Sequence, residues 1–433
     1  MHARLRVLLL LCCISGLIIT SCSAKGDPNQ MKINSNQELS ESERKAALKE
    51  IESERIQAMN TMGLHILQQM GAKGKADGNN LLISPYSITA AIGMAYNGSV
   101  GETRREMAEV MGWSGLEMEQ VNAFQAALQQ LLTHPGKGIE VGIANSMWVK
   151  DGIPVVEAYQ TAVQQTYEAE IRTLNGQPAQ AKEEINQWVK QHTEGMIPNL
   201  MQEPPAKEAL MILVNAIAFD GNWMYEFDPE YTTDEEFKLA NGKELSVRMM
   251  HQTKQFQYLE NEDWQAVRLP YGDGQMHLLV VLPREGRTLD EIQQQLLDDP
   301  KRLDRGSEYS LVELSLPRFR AEYGMNLKET LQQMGMEMAF DPYAANFTEM
   351  ISPGPNLQTY IGQVVHRAVM EVSEQGTVAA ASTLLGMAAG SAPPTDPVRM
   401  EVNRPFMVAV VDKSTGAWLF AGNVNQPEEI PSR

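Results

Sequence analysis

Cysteine and histidine are the residues best suited to nucleophilic or metal chemistry, and their placement in this chain leaves little room for either. The three cysteines, Cys12, Cys13 and Cys22, all lie at the extreme N-terminus. The rest of the chain therefore has neither a thiol nucleophile nor a disulfide. Seven histidines (His2, His65, His134, His192, His251, His277 and His366) are scattered, none at ligand spacing from another. A metal site and a cofactor are not expected. No Gly-x-Ser-x-Gly elbow, phosphate-binding loop, His-Glu-x-x-His or paired-cysteine motif occurs. A triad assembled from distant positions is the one enzymatic arrangement left open.

Cys22 has a chemistry of its own. Arg4 and Arg6 precede an apolar run, Val7 to Ile19, too short to span a bilayer comfortably. The run ends in Ile19-Thr20-Ser21-Cys22, which looks like a bacterial lipobox, where small residues admit a signal peptidase and the thiol takes a diacylglycerol. Residues 1–21 are thus expected to be a lipoprotein signal and 22–40 a polar tether. The protein would then be lipid-anchored in a bacterial envelope, at the outer membrane or cell surface. Fifty-five acidic residues against 36 basic ones give a formal charge of −19. With no basic stripe, nucleic acid is excluded as a partner.

The most unusual segment runs from Glu374 to Pro394, where nearly every side chain is small, neutral or flexible. By composition it is a long surface loop. Yet Thr377, Ala379, Ala381, Thr383, Leu385 and Met387 alternate, so each can point to one face of a strand. A segment that can be loop or strand is what a conformational switch requires.

The elements around it must supply a sheet. Ser40, with Glu43 three residues on, is a capping box for a helical stretch from Glu41 to Met70. Leu81 to Ile83 reads as a strand, followed by a helix that Ser84 caps and Pro85 opens. Ala181 to His192 is an amphipathic helix, and Leu210 to Phe219 a buried strand. Strands then dominate: Val247 to His251, Trp264 to Leu269, Met276 to Leu282, Val312 to Leu316, Tyr360 to Val372, Glu401 to Val411 and Trp418 to Gly422. Helices early and strands late predict an α+β fold. No linker divides 41–425, which leaves 426–433 as a tail.

Glu374-x-Gly376-Thr377 followed by Ala379-Ala380-Ala381-Ser382 resembles the hinge of inhibitory serpins, a family of suicide inhibitors of proteases. Asn403-Arg404-Pro405-Phe406 is similar to the strand after their reactive loop. Ordered matches recur from Asn80-Leu81-Leu82-Ile83-Ser84-Pro85 through Phe219-Asp220-Gly221-Asn222-Trp223 to Val365-His366-Arg367-Ala368. The resemblance implies a single domain of three β-sheets wrapped by helices, with an exposed mobile loop over about 374–404. It implies a non-enzymatic, monomeric inhibitor that traps the acyl-enzyme of a target protease covalently as its cleaved loop enters the central sheet. A non-inhibitory serpin, acting as substrate, chaperone or carrier, is the alternative.

Roles carried over by the resemblance fall on particular residues. Glu374, Gly376, Thr377 and Ala379 to Ser382 form the hinge; Arg318 would pair with Glu374, and Trp223 would mark the point where the loop first enters. Ser84, Ser87, Asn215 and His366 match a polar cluster beneath the sheet, where Asn215 and a serine would satisfy the His366 ring. About thirteen residues beyond Thr377 the reactive bond falls at Gly390–Ser391, with Met387, Ala388, Ala389 and Ala392 as neighbours. None of these is basic, so elastase-like or subtilisin-like serine proteases, or some cysteine proteases, are the expected targets.

Overall fold

Ser40 opens the first helix by the reciprocal arrangement that its sequence specifies. Its hydroxyl accepts from Glu43 N, and the Glu43 carboxylate accepts from Ser40 N at 2.9 Å. The fold built on that start, seen in a computed structural model, is described over residues 39–74, 78–174, 176–193, 195–207, 209–352, 359–377 and 396–430. In chain order its elements are α1 Glu41–Lys49, α2 Ser53–Gly74, β1 Leu81–Ile83, α3 Pro85–Gly98, α4 Gly101–Met111, α5 Met118–Leu132, β2 Ile139–Lys150, α6 Glu157–Tyr167, β3 Glu170–Leu174, α7 Pro178–His192 and β4 Met211–Asn222. There follow β5 Thr233–Lys238, β6 Glu244–Glu260, β7 Trp264–Tyr271, β8 Met276–Pro283, α8 Leu289–Asp298, β9 Glu308–Pro317, β10 Phe319–Asn326, α9 Lys328–Gln333, β11 Gln363–Val372, β12 Gly376–Thr377, β13 Val398–Glu401, β14 Phe406–Asp412 and β15 Trp418–Val424.

Two expected elements are each broken in two. The helix expected over 41–70 stops after Lys49 and restarts at Ser53. The two pieces face different partners: Ala47 of α1 packs with Ala127 and Leu131 of α5, whereas Ile56 and Met59 of α2 enter the main core. The strand expected over 401–411 divides at 402–405, because Pro405 has no N–H with which to continue a ladder.

A six-stranded sheet runs β10-β11-β12-β4-β2-β3, and a nine-stranded one runs β1-β15-β14-β8-β7-β6-β9-β13 with β5 added on β6. The third expected sheet is not separate. The 17-residue β6 pairs with β5 over 244–249, with β9 over 249–258 and with β7 over 257–260, so it joins two sheets into one. The main apolar core fills the space between the sheets and the helices α2 to α6.

A second, smaller core lies on the opposite face of the six-stranded sheet. Ile185, Trp188 and Val189 of α7, with Ile197, Leu200 and Met201 after it, pack on Ala144 and Trp148 of β2. The same cluster reaches Ile212, Val214 and Ala216 of β4 and Val365 of β11. Alternation along β4 explains the division: Leu213 and Ile217 face the main core, Val214 and Ala216 the smaller one. Helix α7 and its continuation therefore lie across the β4–β11 seam.

Candidate functional site

Strands β4 and β11 are parallel neighbours, paired from Ile212↔Gln363 to Ile217↔Ala368. Beyond Ala368 they part, and β12 fills the mouth of the wedge. Val372 pairs with Thr377 on one side, while Asn222 and Gly221 pair with Gly376 and Thr377 on the other. Only glycine suits position 376. Its φ is 152°, and a Cβ there would lie 2.1 Å from the carbonyl oxygen of Gly221. The turn before it closes when Ser373 N donates to Gly376 O at 2.8 Å.

Trp223 holds this turn twice. Its main-chain N donates to Gln375 O and its indole Nε1 to Ser373 O, each at 2.9 Å. The indole also stacks on Tyr271 with ring centroids 4.4 Å apart. The Tyr271 hydroxyl lies 2.6 Å from Oγ1 of the fully buried Thr377. Burial pushes the Tyr271 phenol up, so it stays neutral and free to donate or accept. Glu374 is also buried: Thr232 Oγ1 donates to its Oε1 at 2.9 Å, and Arg318 Nε lies 3.5 Å from its Oε2. A further bond, from Phe227 N to Glu374 O at 2.9 Å, pins the main chain.

Lower in the seam, Asn215 and His366 stand in register across β4 and β11. Ser84 has two tasks: its hydroxyl caps α3 by accepting from Ser87 N at 3.1 Å, and its N–H donates to His366 Nε2 at 3.0 Å. The expected pairing of Asn215 with the imidazole is not what the geometry shows. Asn215 Nδ2 turns instead to Asn145 Oδ1 at 2.6 Å, and Asn145 Nδ2 donates to Tyr167 O at 3.0 Å. His366 Nδ1, Asn215 Oδ1 and Ser87 Oγ are buried with no hydrogen-bond partner among the described residues. Burial holds the His366 ring down to about 3, so it is neutral. A cluster under-satisfied in this way gains little from the closed seam.

The structure thus brings Glu374, Gly376, Thr377, Arg318 and Trp223 together at the mouth of the seam, and Ser84, Ser87, Asn215 and His366 beneath it. Three contributors were not singled out from sequence: Tyr271, Thr232 and Asn145. Asn145 left a signal, an amide beside Ser146 within the mainly apolar middle of β2. Ala379, Ala380, Ala381, Ser382, Met387, Ala388, Ala389, Gly390, Ser391, Ala392 and Cys22 lie outside the described residues. Within them, no group of three His, Cys, Asp or Glu side chains is placed to hold a metal ion, and no helix is long and apolar enough to cross a membrane.

One Ser–His–acid chain does exist. Ser315 Oγ lies 3.1 Å from His251 Nδ1, and His251 Nε2 lies 2.8 Å from Glu235 Oε1. Ser315, however, sits inside β9, paired on one side with His251 of β6 and on the other with Glu401 of β13. Its surroundings are ladder hydrogen bonds and a carboxylate residue, the reverse of an oxyanion hole. The chain is a cross-strand polar contact.

Two parallel strands that part at one end, with the root of the segment that follows them paired to both, form the mouth of the six-stranded sheet. The protein belongs to the serpin family, whose model, described as serpin (serine protease inhibitor), matches residues 57–427. An uncharacterized serpin-like protein of Thermococcus kodakarensis is 32% identical over 379 residues, 86% of each chain. Antithrombin-III of Bos taurus is 32% identical over 366 residues, 82% of this chain and 78% of its own. The native state of tengpin, a thermophilic serpin, superposes with a TM-score of 0.78 at 27% identity, covering 87% of this chain and 95% of its own. Members of the family are in general protease inhibitors rather than enzymes.

Proposed function

We propose that this serpin is an irreversible inhibitor of elastase-like or subtilisin-like serine proteases that traps the acyl-enzyme by inserting its cleaved loop between β4 and β11. The observation that carries this reading is β12, a two-residue strand already seated between β11 and β4 with its antiparallel register set. Extending it adds main-chain hydrogen bonds on both sides and supplies new partners to a seam whose buried polar atoms lack them. The protease, esterified to the new end of the loop, would be carried along the sheet before water releases it.

In this reading the attacked bond is Gly390–Ser391, or a neighbour between Met387 and Ala392, and Cys22 carries the lipid that holds the inhibitor at a bacterial envelope. The test is incubation of the exported domain with an elastase and with a subtilisin. The expected result is a complex that survives SDS, with mass spectrometry placing the new C-terminus between Met387 and Ala392. Cleavage without a complex would overturn inhibition, and a cut elsewhere would overturn the bond. Labelling with a fatty-acid analogue, lost in Cys22→Ala, tests the anchor.

A further inference from the structure

Strand β11 has a neighbour on each side, β4 across the seam and β10 on the other. On the β10 side the two strands are fastened by charge. Arg320 of β10 stands in register with Glu371 of β11, and its Nη1 is ion-paired to that carboxylate. Arg367 of β11 reaches the other way, its Nε donating to Glu322 Oε1 of β10 at 2.9 Å. Arg320 Nε also donates to Glu322 Oε2, at 3.2 Å, so the two cross-strand pairs share one carboxylate. Gly324, the register partner of Arg367, makes room for this. A Cβ there would lie 3.2 Å from Arg367 Nη1 and 3.4 Å from its Cγ, so the long side chain lies close against β10. The four side chains are only 9–24% exposed, which limits screening by salt. Burial pushes the Glu322 carboxyl up, but the bonds from Arg320 and Arg367 outweigh it and hold the group below its ordinary range.

The β4 side has no such fastening. The residues of β4 that pair with β11, Ile212 to Ile217, carry no charge. The polar pair in register there, Asn215 and His366, is not bonded to itself: Asn215 Nδ2 donates to Asn145, and His366 Nδ1 has no partner among the described residues. Strand β10, in turn, is fixed to the body at Arg320. Its main-chain N donates to Glu428 O at 3.0 Å, and its carbonyl accepts from Nδ2 of Asn80, the residue before β1, at 3.3 Å. One residue thus ties the body by its main chain and β11 by its side chain.

We propose that Arg320, Glu322, Arg367 and Glu371 rivet β11 to β10, so that the sheet gives way on the β4 side and β11 stays in place to receive the entering strand. This rests on the insertion reading above. A strand that enters beside β11 strains both of its pairings, and the weaker one parts. Two charge-assisted pairs hold the β10 side and none holds the β4 side, so the seam is the weaker. Residues 378–382, Val-Ala-Ala-Ala-Ser, bring no charge to compete for Arg367 or Glu371. Without the rivet β11 can be drawn off β10 as well. The entering strand then meets one fixed edge instead of two, insertion slows, and water releases the protease first. The four side chains are positioning residues.

The test counts how many inhibitor molecules are consumed for each elastase or subtilisin molecule trapped. Arg367→Met keeps the apolar stem and leaves Glu322 paired with Arg320. It is expected to consume about tenfold more inhibitor than wild type, the scale of one hydrogen bond to a charged group. Arg367→Lys, which keeps a cation, should recover most of the trapping. Arg105→Met, which removes the exposed pairs with Glu102 and Glu109 on α4, should match wild type. If Arg367→Met has a lower Tm but traps as well as wild type, the ion pairs are merely structural and the rivet is overturned. Should that variant fail to fold, Glu371→Gln is read by the same two measures. Uptake of a synthetic peptide of residues 377–390 by the intact protein, followed by native electrophoresis, separates the two readings. Slower uptake by the variant supports the rivet, equal uptake defeats the rivet alone, and wild type that neither traps nor takes up peptide defeats the insertion reading with it.

Discussion

Tyr271 and Thr377, 106 positions apart in sequence, share a hydrogen bond of 2.6 Å that fastens the second residue of β12 to the neighbouring sheet. Because Trp223 stacks on the same ring, one tyrosine supports both Thr377 and the indole that holds the turn before it. Tyr271→Phe removes the hydroxyl and leaves Thr377 Oγ1 buried without that partner. The expected loss is about 1–3 kcal/mol of hinge stability, measured as faster proteolysis near Thr377 with little change in the global urea midpoint.

Thr377→Arg is expected to turn the inhibitor into a substrate. The position is fully buried between two strands, so seating the strand with a guanidinium there would desolvate a cation. On gels with an elastase, cleaved protein should replace the SDS-stable band; an undiminished complex would contradict the arrangement.

Gly376→Ala tests the backbone. With φ at 152° and the Gly221 carbonyl oxygen 2.1 Å from the added Cβ, the strand cannot stay in place. A strain of about 1–3 kcal/mol should expel residues 376 and 377, seen as increased hydrogen exchange at Trp223, whose main-chain N–H donates to Gln375 O.

The register of β12 makes a geometric prediction for the cleaved form. Each step forward from Thr377↔Gly221 moves one step back along β4, so Ser382 should come to lie opposite Ala216. The only cysteines lie in the first 22 residues, so Ser382→Cys with Ala216→Cys gives a clean pair. A disulfide should form after cleavage and not before. A one-residue slip would turn the two sulfurs to opposite faces and prevent it.

His366 and His277 both have pKa values lowered to about 3, chiefly by burial. The unfolded chain thus takes up protons at these sites below its ordinary value of about 6.5, where the folded chain does not. Stability should fall as pH drops from about 6.5 towards 3, by up to about 1.4 kcal/mol per pH unit for each ring. His277→Gln should remove one such increment from the slope, measured by urea unfolding at pH 6, 5 and 4.

Local chemistry made much of this legible in advance. The Ser40 and Ser84 caps act over a single turn, so each could be read from its own neighbours. Gly376 stood out through the resemblance of Glu374-x-Gly376-Thr377 to the hinge of inhibitory serpins. What escaped was set by packing between distant elements. The helices at 118–132 and 289–298 were passed over, although the second carries a Thr288–Glu291 capping box. Tyr271 falls just past the strand expected over 264–269, and only the longer β7, placed beside the hinge, gives its hydroxyl a role. The Asn145–Asn215 bond is invisible without the β2–β4 register, and this is why Asn215 is expected on the His366 ring beside a serine, where the structure shows only the bond from Ser84.

The pairing of β1 with β15, Leu81 against Asn423, joins chain positions almost a whole protein apart. Beneath the seam, Ser84 directly follows β1, and β4 and β11 meet only after the chain has passed residue 368. A ribosome must therefore release nearly all of the polypeptide before the sheets can close. Up to that moment β4 has an unclaimed edge, and the order of synthesis presents β11 to it before the loop residues emerge. In the insertion reading, parallel pairing with β11 then occupies the place that the cleaved loop would take. Which arrangement the chain adopts first is a matter of timing on the ribosome as well as of depth in the energy landscape.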